Sequence, residues 1–495
     1  MMYQSTRDPS GKKYSAAEVI KMGLAPDGGL FIPESIPTLT ADEITALCGE
    51  SYPVRAAKIL SKFLSDYTYE ELLSDCEAAY APASFPGGAA PLVHVHDNMY
   101  SLELWHGPTA AFKDMALQIM PRLLSRAIVK TGESRNALIL VATSGDTGKA
   151  ALEGYKDIDR IKIMVFYPVD GVSRVQKLQM ATQLGDNVNV CAIRGNFDDA
   201  QTGVKNIFGD ADMAAQLNER GYVLSSANSI NWGRLAPQIV YYVSAYCDLL
   251  AAGKLSMGET MDVCVPTGNF GNIFAGYIAK LMGLPVRHFV CASNQNNILT
   301  DFLSTGTYDR NRAFHLTMSP SMDILISSNL ERLLCFTAGE ERTTRYMESL
   351  KQNGAYTVDD DVLAAIQTNF SGYYADEVAT AATIKTYFGQ YGYLSDTHTA
   401  VALHCAEQYV KSLDDKDVRP IVVDSTASPY KFAADVYASL DKEVPADPLQ
   451  ALDELSAYTN TEIPYPLCGL GERTVRFTEV IDAADMPEAV LNYCK

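Results

Sequence analysis

One lysine occupies a position where a protein can make an amine reactive. Lys113 follows the turn Gly107-Pro108 and precedes a segment with helical periodicity, 115–128. The amino end of a helix disfavours a cation, because the aligned peptide dipoles place partial positive charge there. A lysine held at that end tends to lose its proton, and the neutral amine is the form that makes a Schiff base. Taken alone, Lys113 also fits an ordinary solvated surface lysine.

A glycine-containing loop has the composition of a phosphate site. Residues 267–272 read TGNFGN and stand between a predicted strand and a predicted helix at 272–282. Glycines let successive backbone N–H groups turn inward together, and the following helix adds its positive end. This pairing suits a phosphate dianion, although the same letters also fit a plain strand-to-helix turn.

A second loop, residues 143–148 (TSGDTG), has the same placement, and its hydroxyl and N–H groups could hold a carboxylate. The pair Gly148-Lys149 imitates the end of a P-loop, but Thr143 stands where the first glycine is required. Ala150 also replaces the Ser or Thr that would hold magnesium, which argues against a nucleotide kinase. A further polar segment, 424–431 (DSTASPYK), directly follows a strand and by itself fits an ordinary loop.

The elements that must position these segments alternate between strand and helix. Short apolar runs predict strands at 137–142, 161–167, 187–193, 262–266 and 421–424. Longer amphipathic segments lie between them, which predicts a mostly parallel sheet covered on both faces. Ligands of such folds bind in loops beyond the carboxyl ends of strands, where the polar segments are found.

The chain divides into three predicted parts. Residues 1–90 carry short helical patterns at 14–22 and 41–48 and end in a linker rich in proline and glycine. Residues 91–435 form the catalytic α/β region, with a nested subdomain at about 135–235. Residues 436–495 are predicted to be a helical, acidic segment that packs on the catalytic region.

Composition narrows the possible partners. The 495 residues carry a formal net charge of -20, which disfavours nucleic acid and anionic membranes. The cysteines stand singly with no C-x-x-C pair, as expected of free thiols in a reducing compartment, and no histidine has zinc-ligand spacing with them. The amino terminus lacks a signal-peptide core and no apolar run is long enough to span a membrane, so a cytoplasmic protein is predicted.

Together the segments resemble the threonine synthases, a family of fold-type-II (tryptophan synthase β-like) pyridoxal-phosphate (PLP) enzymes. The matching segments extend over nearly the whole chain. Their occurrence in the same order as in the family makes the resemblance specific. The matching segments are 3–7 (YQSTR), 23–31 (GLAPDGGLF), 106–114, 142–148, 195–199 (GNFDD), 226–231 (SANSIN), 268–272, 322–323, 398–402 (HTAVA) and the loop at Thr426. The resemblance implies an α/β fold of two open, mostly parallel sheets flanked by helices, plus a small N-terminal domain.

The resemblance also implies roles for single residues. Lys113 matches the lysine that forms the Schiff base with PLP. Thr426 matches the hydroxyl residue that faces the pyridine nitrogen. The residues that match the cofactor-phosphate loop are Gly268, Asn269, Phe270, Gly271 and Asn272. Those that match the substrate site are Ser144 and Thr147 for the carboxylate and Arg234 for the phosphate. Asp146, where many relatives have asparagine, is left without a role, because an anion there repels other anions unless it is protonated or turned away.

The implied reaction converts O-phosphohomoserine and water into threonine and inorganic phosphate, by γ-elimination and β-addition, as the last step of threonine biosynthesis. Lys113 is the expected proton shuttle. Two alternatives stay open: another fold-type-II lyase (a serine/threonine dehydratase or a phospholyase), and a relative that binds PLP without catalysis. The predicted partner is the small-molecule substrate alone, with neither nucleic acid nor membrane, and the predicted assembly is a monomer or homodimer.

Overall fold

A computed structural model describes residues 1–143, 145–170, 172–414 and 418–495. The strands are β1 (Tyr3–Ser5), β2 (Phe31–Pro33), β3 (Leu92–His96), β4 (Met99–Glu103), β5 (Asn136–Ala142), β6 (Ile161–Pro168), β7 (Val188–Arg194), β8 (Tyr222–Ser225), β9 (Met261–Pro266), β10 (Val286–Ser293), β11 (Thr307–Asp309), β12 (Ala355–Thr357), β13 (Phe370–Tyr374), β14 (Ile421–Ser425) and β15 (Val480–Asp482).

The helices are α1 (Ala16–Met22), α2 (Ala41–Cys48), α3 (Tyr52–Phe63), α4 (Tyr69–Ala79), α5 (Asp114–Leu117), α6 (Met120–Lys130), α7 (Asp146–Tyr155), α8 (Arg174–Ala181), α9 (Phe197–Gly209), α10 (Ala211–Glu219), α11 (Trp232–Ala251), α12 (Gly271–Met282), α13 (Ile298–Thr305), α14 (Leu330–Ala338), α15 (Glu340–Asn353), α16 (Asp360–Gln367), α17 (Glu377–Tyr391), α18 (Thr397–Lys411), α19 (Ala433–Ser439), α20 (Gln450–Thr459) and α21 (Met486–Tyr493). Short 3₁₀ turns lie at Pro320–Met322, Pro429–Phe432, Leu470–Glu472 and Ala483–Asp485.

Two mostly parallel sheets form the catalytic region, as predicted. The larger sheet has the order β13-β10-β9-β14-β4-β3, and its neighbouring strands are parallel except for the β3–β4 hairpin. The smaller sheet has the order β15-β7-β6-β5-β8 and is parallel throughout. Strands that are covered on both faces read as mainly apolar runs. β9 (MDVCVP) is buried along its whole length, and its one charged residue, Asp262, is paired with Arg287. The predicted strands match these elements to within one residue at each end.

The N-terminal part packs on the catalytic region through aromatic side chains. The Tyr3 hydroxyl donates to the Phe63 carbonyl at 2.8 Å, and its ring lies 5.5 Å from that of Trp232, between centroids. Trp232 begins α11, a helix whose side chains are buried around almost its whole circumference. Such a helix belongs in the centre of a protein, and here it packs against α2 and α3 of the N-terminal part and against α5 and α12.

Two predictions about elements were wrong. The helix predicted at 115–128 is divided into α5 and α6, and Pro121 lies in the first turn of α6. Proline has no N–H to donate and its ring clashes with the preceding turn, so it favours a helix start. The C-terminal segment is not only helical, because β15 adds a parallel edge strand to the smaller sheet. This strand has three residues, and the residues at both ends are exposed. It is therefore too short for an alternating apolar and polar pattern to be recognised in the sequence.

Candidate active site

Lys113 lies beside the loop after β5 of the smaller sheet and beside the short turn Pro320–Met322. It immediately precedes α5, and its Nζ lies 3.4 Å from Ser321 Oγ and 3.9 Å from Asp146 Oδ2. Burial lowers the pKa of Lys113 to about 8; Asp146 opposes this shift, while Lys431 and Arg234 add to it. The lowered pKa was predicted, but its cause is different. The main cause is burial, since α5 has only four residues and its dipole is correspondingly small.

The charge of Asp146, a residue to which the sequence assigned no role, is balanced by a neighbouring lysine. Its Oδ1 lies 2.8 Å from the Nζ of Lys431, a lysine with no exposed side-chain surface, and accepts from Gln176 Nε2 at 2.9 Å. Burial by itself would raise the pKa of Asp146. The charges of Lys431 and Lys113 outweigh it and hold that pKa far below its usual range. Asp146 is therefore ionised, and Lys431 balances its charge.

The glycine loop after β9 is held from outside by a serine and an asparagine. The Ser327 hydroxyl donates to the Gly268 carbonyl at 2.7 Å, and Asn329 donates its backbone N–H to the Asn269 carbonyl at 3.0 Å. Phe270 is fully buried with φ +62°, a left-handed conformation that costs a non-glycine residue about 1 kcal/mol or more. Packing of the Phe270 ring therefore imposes the conformation that turns this loop.

The same loop has unused backbone donors. Within the described ranges, no hydrogen bond uses the N–H groups of Gly268, Asn269 or Phe270, which directly precede α12. Asn272 is engaged instead, since its Nδ2 donates to the Pro266 carbonyl at 3.0 Å. Free N–H groups at the amino end of a helix are what a phosphate group requires. The loop as folded fits the phosphate of PLP.

Thr426 lies beside the lysine segment. Its carbonyl accepts the backbone N–H of Phe112 at 2.8 Å, and Ser428 donates its N–H to the Ala110 carbonyl at 3.1 Å. These bonds join the loop after β14 to the residues that precede Lys113. The Thr426 side chain is buried, and in the part of the chain that the structure describes its hydroxyl has no hydrogen-bond partner. This arrangement leaves a hydroxyl available to a ligand next to Lys113.

The loop after β5 is organised by Thr143. Its hydroxyl oxygen accepts the backbone N–H groups of Gly145 and Gly148, each at 3.0 Å, which folds the loop over the start of α7. Thr147 lies in the first turn of α7 and is half-buried. Ser144, the other residue predicted for the substrate carboxylate, lies outside the described residues.

Arg234 is a buried cation that forms no ion pair with any described residue. It lies in the first turn of α11 with only 5% of its surface exposed, and its Nη1 donates to the Ala227 carbonyl at 2.9 Å. Its Nε is buried with no partner, and no carboxylate of the described residues pairs with it. Burial lowers the pKa of Arg234 to about 10, which still leaves it charged near neutral pH. An unpaired buried guanidinium is costly unless a ligand supplies the negative charge.

Sequence reasoning missed three residues at this site: Lys431, Ser321 and Gln176. Lys431 lies in the polar segment 424–431, and Ser321 directly precedes the matching pair 322–323. Ser321 lies 208 residues from Lys113 along the chain, and Gln176 lies 30 residues from its partner Asp146. A side chain gives no local signal of a partner at such separations.

Three family models match the chain in order: "Threonine synthase N terminus" over residues 2–80, "Pyridoxal-phosphate dependent enzyme" over 87–424, and "Threonine synthase, C-terminal" over 399–490. The chain belongs to the threonine synthase family. The second and third matched ranges overlap at 399–424, which includes most of α18 and of β14. The domain boundaries predicted at 90 and 435 stay predictions.

Individual relatives agree with the family. The chain is 38% identical over 459 residues to threonine synthase of Pseudomonas aeruginosa, covering 92% of this chain and 93% of that protein. It is 42% identical over 436 residues to human "Threonine synthase-like 1", covering 86% of this chain and 58% of that protein. The chain thus spans less than two thirds of the length of the threonine synthase-like 1 relatives, which include the mouse protein at 61%.

Solved threonine synthases share the fold. A PLP-bound threonine synthase from Brucella melitensis superposes with a TM-score of 0.89 at 37% identity, covering 100% of both chains. The yeast enzyme superposes with a TM-score of 0.89 at 32% identity, covering 99% of this chain and 98% of that one. The fold-type-II architecture predicted from sequence is confirmed by these matches together with the two parallel sheets.

Proposed function

We propose that this protein is a threonine synthase that uses PLP to convert O-phospho-L-homoserine and water into L-threonine and inorganic phosphate. The observation that carries the proposal is Arg234, a buried guanidinium with no counter-ion among the described residues and close enough to Lys113 to lower its pKa. A site with a reactive amine, a phosphate loop for the cofactor and a further unpaired cation suits a substrate that carries its own phosphate. Membership of the threonine synthase family supports this choice.

The residues present fit PLP. The free N–H groups of Gly268, Asn269 and Phe270 would hold its phosphate, with Gly271 and Asn272 forming the first turn of α12 behind them. Lys113 would bond to its aldehyde carbon, and the Thr426 hydroxyl would face its ring nitrogen. A hydroxyl there accepts or donates a hydrogen bond without forcing the nitrogen to stay protonated. When bound, PLP supplies an electron sink that stabilises negative charge at the substrate's α-carbon.

The chain's own residues supply binding and proton transfer. With a pKa of about 8, roughly a quarter of Lys113 amines are neutral at pH ~7.5, against roughly one in a thousand for an ordinary lysine. Protons must leave the α- and β-carbons of the substrate before phosphate departs from the γ-carbon. Protons then return at the γ- and α-carbons, while water adds its hydroxyl at the β-carbon and gives its own proton to the phosphate. The neutral Nζ of Lys113 is the group that can carry protons between these carbons. Arg234 would balance the charge of the leaving phosphate, and Ser144 and Thr147 would hold the carboxylate.

The role of Arg234 is tested by Arg234→Met and the charge-conserving Arg234→Lys. Loss of a charge-assisted contact to phosphate should cost about 2–3 kcal/mol, which lowers kcat/KM for O-phosphohomoserine roughly 30- to 150-fold. Arg234→Lys should recover part of the loss, because lysine restores the charge without the planar fork. PLP content, read from absorbance, should stay the same in both. An unchanged KM and kcat for the phosphorylated substrate in Arg234→Met would remove the substrate-phosphate assignment.

The "threonine synthase-like 1" proteins of human and mouse are 42% and 40% identical to this chain, against 38% for the Pseudomonas aeruginosa threonine synthase. Identity alone therefore does not distinguish a threonine synthase from a relative with another reaction. One alternative is a phospholyase, which eliminates phosphate without forming threonine. Release of phosphate from O-phosphohomoserine without matching threonine would favour it. Turnover of unphosphorylated serine or threonine alone would instead favour a dehydratase, and a ligand-dependent melting shift without product a non-catalytic relative.

A partner and a cellular compartment are also proposed. The small-molecule substrate is the proposed partner, and the monomer or homodimer and the cytoplasmic location stay predictions. In the described part of the chain, every helix is too short or too polar to cross a lipid bilayer.

A further inference from the structure

One hydroxyl lies between the reactive amine and its neighbouring carboxylate. Ser321 Oγ is 3.4 Å from Lys113 Nζ and 3.3 Å from Asp146 Oδ2. An ionised carboxylate can only accept hydrogen bonds, and a serine hydroxyl has a single proton. The Ser321 proton is therefore directed to Asp146, and the lone pairs of its oxygen are left to accept an N–H of Lys113. The geometry fixes the direction of the contact with the amine.

The backbone of Ser321 is held by a buried histidine. Its N–H donates to His398 Nε2 at 3.1 Å, which requires that nitrogen to be unprotonated. The remaining ring proton lies on Nδ1 and is donated to Asp396 Oδ1 at 2.9 Å. Asp396 and His398 are both almost completely buried. An imidazole anchored in this way can shift little, so the position of Ser321 is set from the start of α18.

Ser321 also touches the glycine loop. A Cβ added to Gly268 would lie 2.8 Å from the Ser321 carbonyl oxygen, so the two segments are in direct van der Waals contact. The short turn that carries Ser321 thus borders both the amine and the proposed phosphate site. No other hydroxyl of the described residues forms a hydrogen bond with Lys113 Nζ.

We propose, resting on the function proposed above, that Ser321 is a positioning residue that holds the free amine of Lys113 in place for proton transfer, with Asp396 and His398 fixing Ser321 in turn. The amine has two positions in any reaction of this kind, one bonded to the cofactor and one free. The Ser321 oxygen gives the free amine a defined acceptor. Without it, Asp146 is the nearest remaining partner at 3.9 Å, and it attracts the amine in its protonated form, which cannot take a proton.

The test compares Ser321→Ala and Ser321→Thr with Ser319→Ala. Ser319 is a buried serine of the same loop whose hydroxyl bonds to Asn294 and Thr317 instead of Lys113, so it is a matched control. Misplacing a reacting group by about 1 Å costs up to roughly 100-fold in rate. We therefore expect Ser321→Ala to lower kcat roughly 10- to 100-fold, with KM within about twofold of wild type and a larger isotope effect on α-deuterated O-phosphohomoserine. Ser321→Thr should recover most of the rate.

A second readout does not depend on the substrate. Apoprotein is mixed with PLP, the rate of Schiff-base formation is followed by absorbance, and the bond is located on Lys113 by borohydride reduction and mass spectrometry. Ser321→Ala should slow this step roughly 10-fold, since its amine is less well placed, while Ser319→Ala should match wild type. If Ser321→Ala is unstable by thermal melting, the nearly isosteric Ser321→Cys replaces it, because a thiol is a weak acceptor.

The outcomes separate the two proposals. A Ser321→Ala protein with wild-type kcat, isotope effect and rate of Schiff-base formation would overturn the positioning role, even if threonine is formed. Slower Schiff-base formation in a protein whose wild type makes no threonine would support the positioning role and overturn the proposed substrate. An equal loss in Ser319→Ala would show that the loop as a whole is responsible, which also contradicts a role specific to Ser321.

Discussion

Replacing Asp146 by asparagine should lower the proton affinity of Lys113. In the folded protein Asp146 opposes the effect of burial on the pKa of Lys113, while Lys431 reinforces it. The substitution removes the carboxylate and leaves the second lysine in place. The charges of Lys431 and Arg234 are then opposed only by the smaller effect of Asp114, so the neutral form of the amine is favoured.

The size of the effect follows from the separation of the charges. At 3.9 Å, opposite unit charges interact by about 4 kcal/mol at an effective dielectric constant near 20, equal to about 3 pKa units. Lys431 lies closer to the carboxylate, at 2.8 Å, and shares its field. We therefore expect the pKa of Lys113 to fall by about 1 to 2 units in Asp146→Asn. Lys431→Met should raise it, and the double variant should lie near wild type.

The assay is the rate of Schiff-base formation between apoprotein and PLP as a function of pH, because only the neutral amine reacts. The ionisations of PLP are the same in the assays of wild type, the two single variants and the double variant. Differences between their pH profiles therefore arise from the protein. The double variant also controls for the buried lysine that Asp146→Asn leaves unpaired, as in a double-mutant cycle. An apparent pKa in Asp146→Asn equal to or above that of wild type would refute this account of the charges.

Two further predictions concern the site's surroundings. Gly268→Ala should weaken PLP binding roughly 10-fold or more, because the new Cβ would meet the Ser321 carbonyl oxygen at 2.8 Å. Gly389→Ala is the control, since a Cβ at that position meets open space and should leave PLP binding unchanged. Fluorescence titration with PLP measures the affinity of both variants. Burial raises the pKa of Asp424 to about 8, so the folded protein favours the neutral form of this carboxyl group. The stability that comes from this preference is present at low pH and is lost as pH rises from about 4 to 8. The free energy of unfolding of Asp424→Asn should therefore rise relative to that of wild type by at most about 1.4 kcal/mol for each pH unit over that interval. Urea unfolding at several pH values measures the difference between the two proteins. A difference that is the same at all pH values would contradict the prediction.

The sequence predicted well what is encoded locally. The buried strands were readable as apolar runs, and the glycine loop 267–272 was recognised because its composition and its place between strand and helix are both local features. Lys113 was identified on the same grounds, although the expected cause of its lowered pKa, a helix end, is minor beside burial.

What depends on tertiary contacts was not predictable. The Asp146–Lys431 pair joins α7 to the turn after β14, and Ser321 reaches Lys113 from another part of the chain. No periodicity or propensity records such pairs. The edge strand β15 was missed for a different reason, since its three residues have no pattern of their own and are held by the register of β7.

The most direct test of the central claim is to incubate the purified protein and PLP with O-phosphohomoserine and to quantify threonine and phosphate in the same sample. We predict that both appear in equal amounts in wild type and that neither forms in Lys113→Ala. Phosphate without threonine would contradict the proposed function, and wild-type turnover in Lys113→Ala would contradict the site.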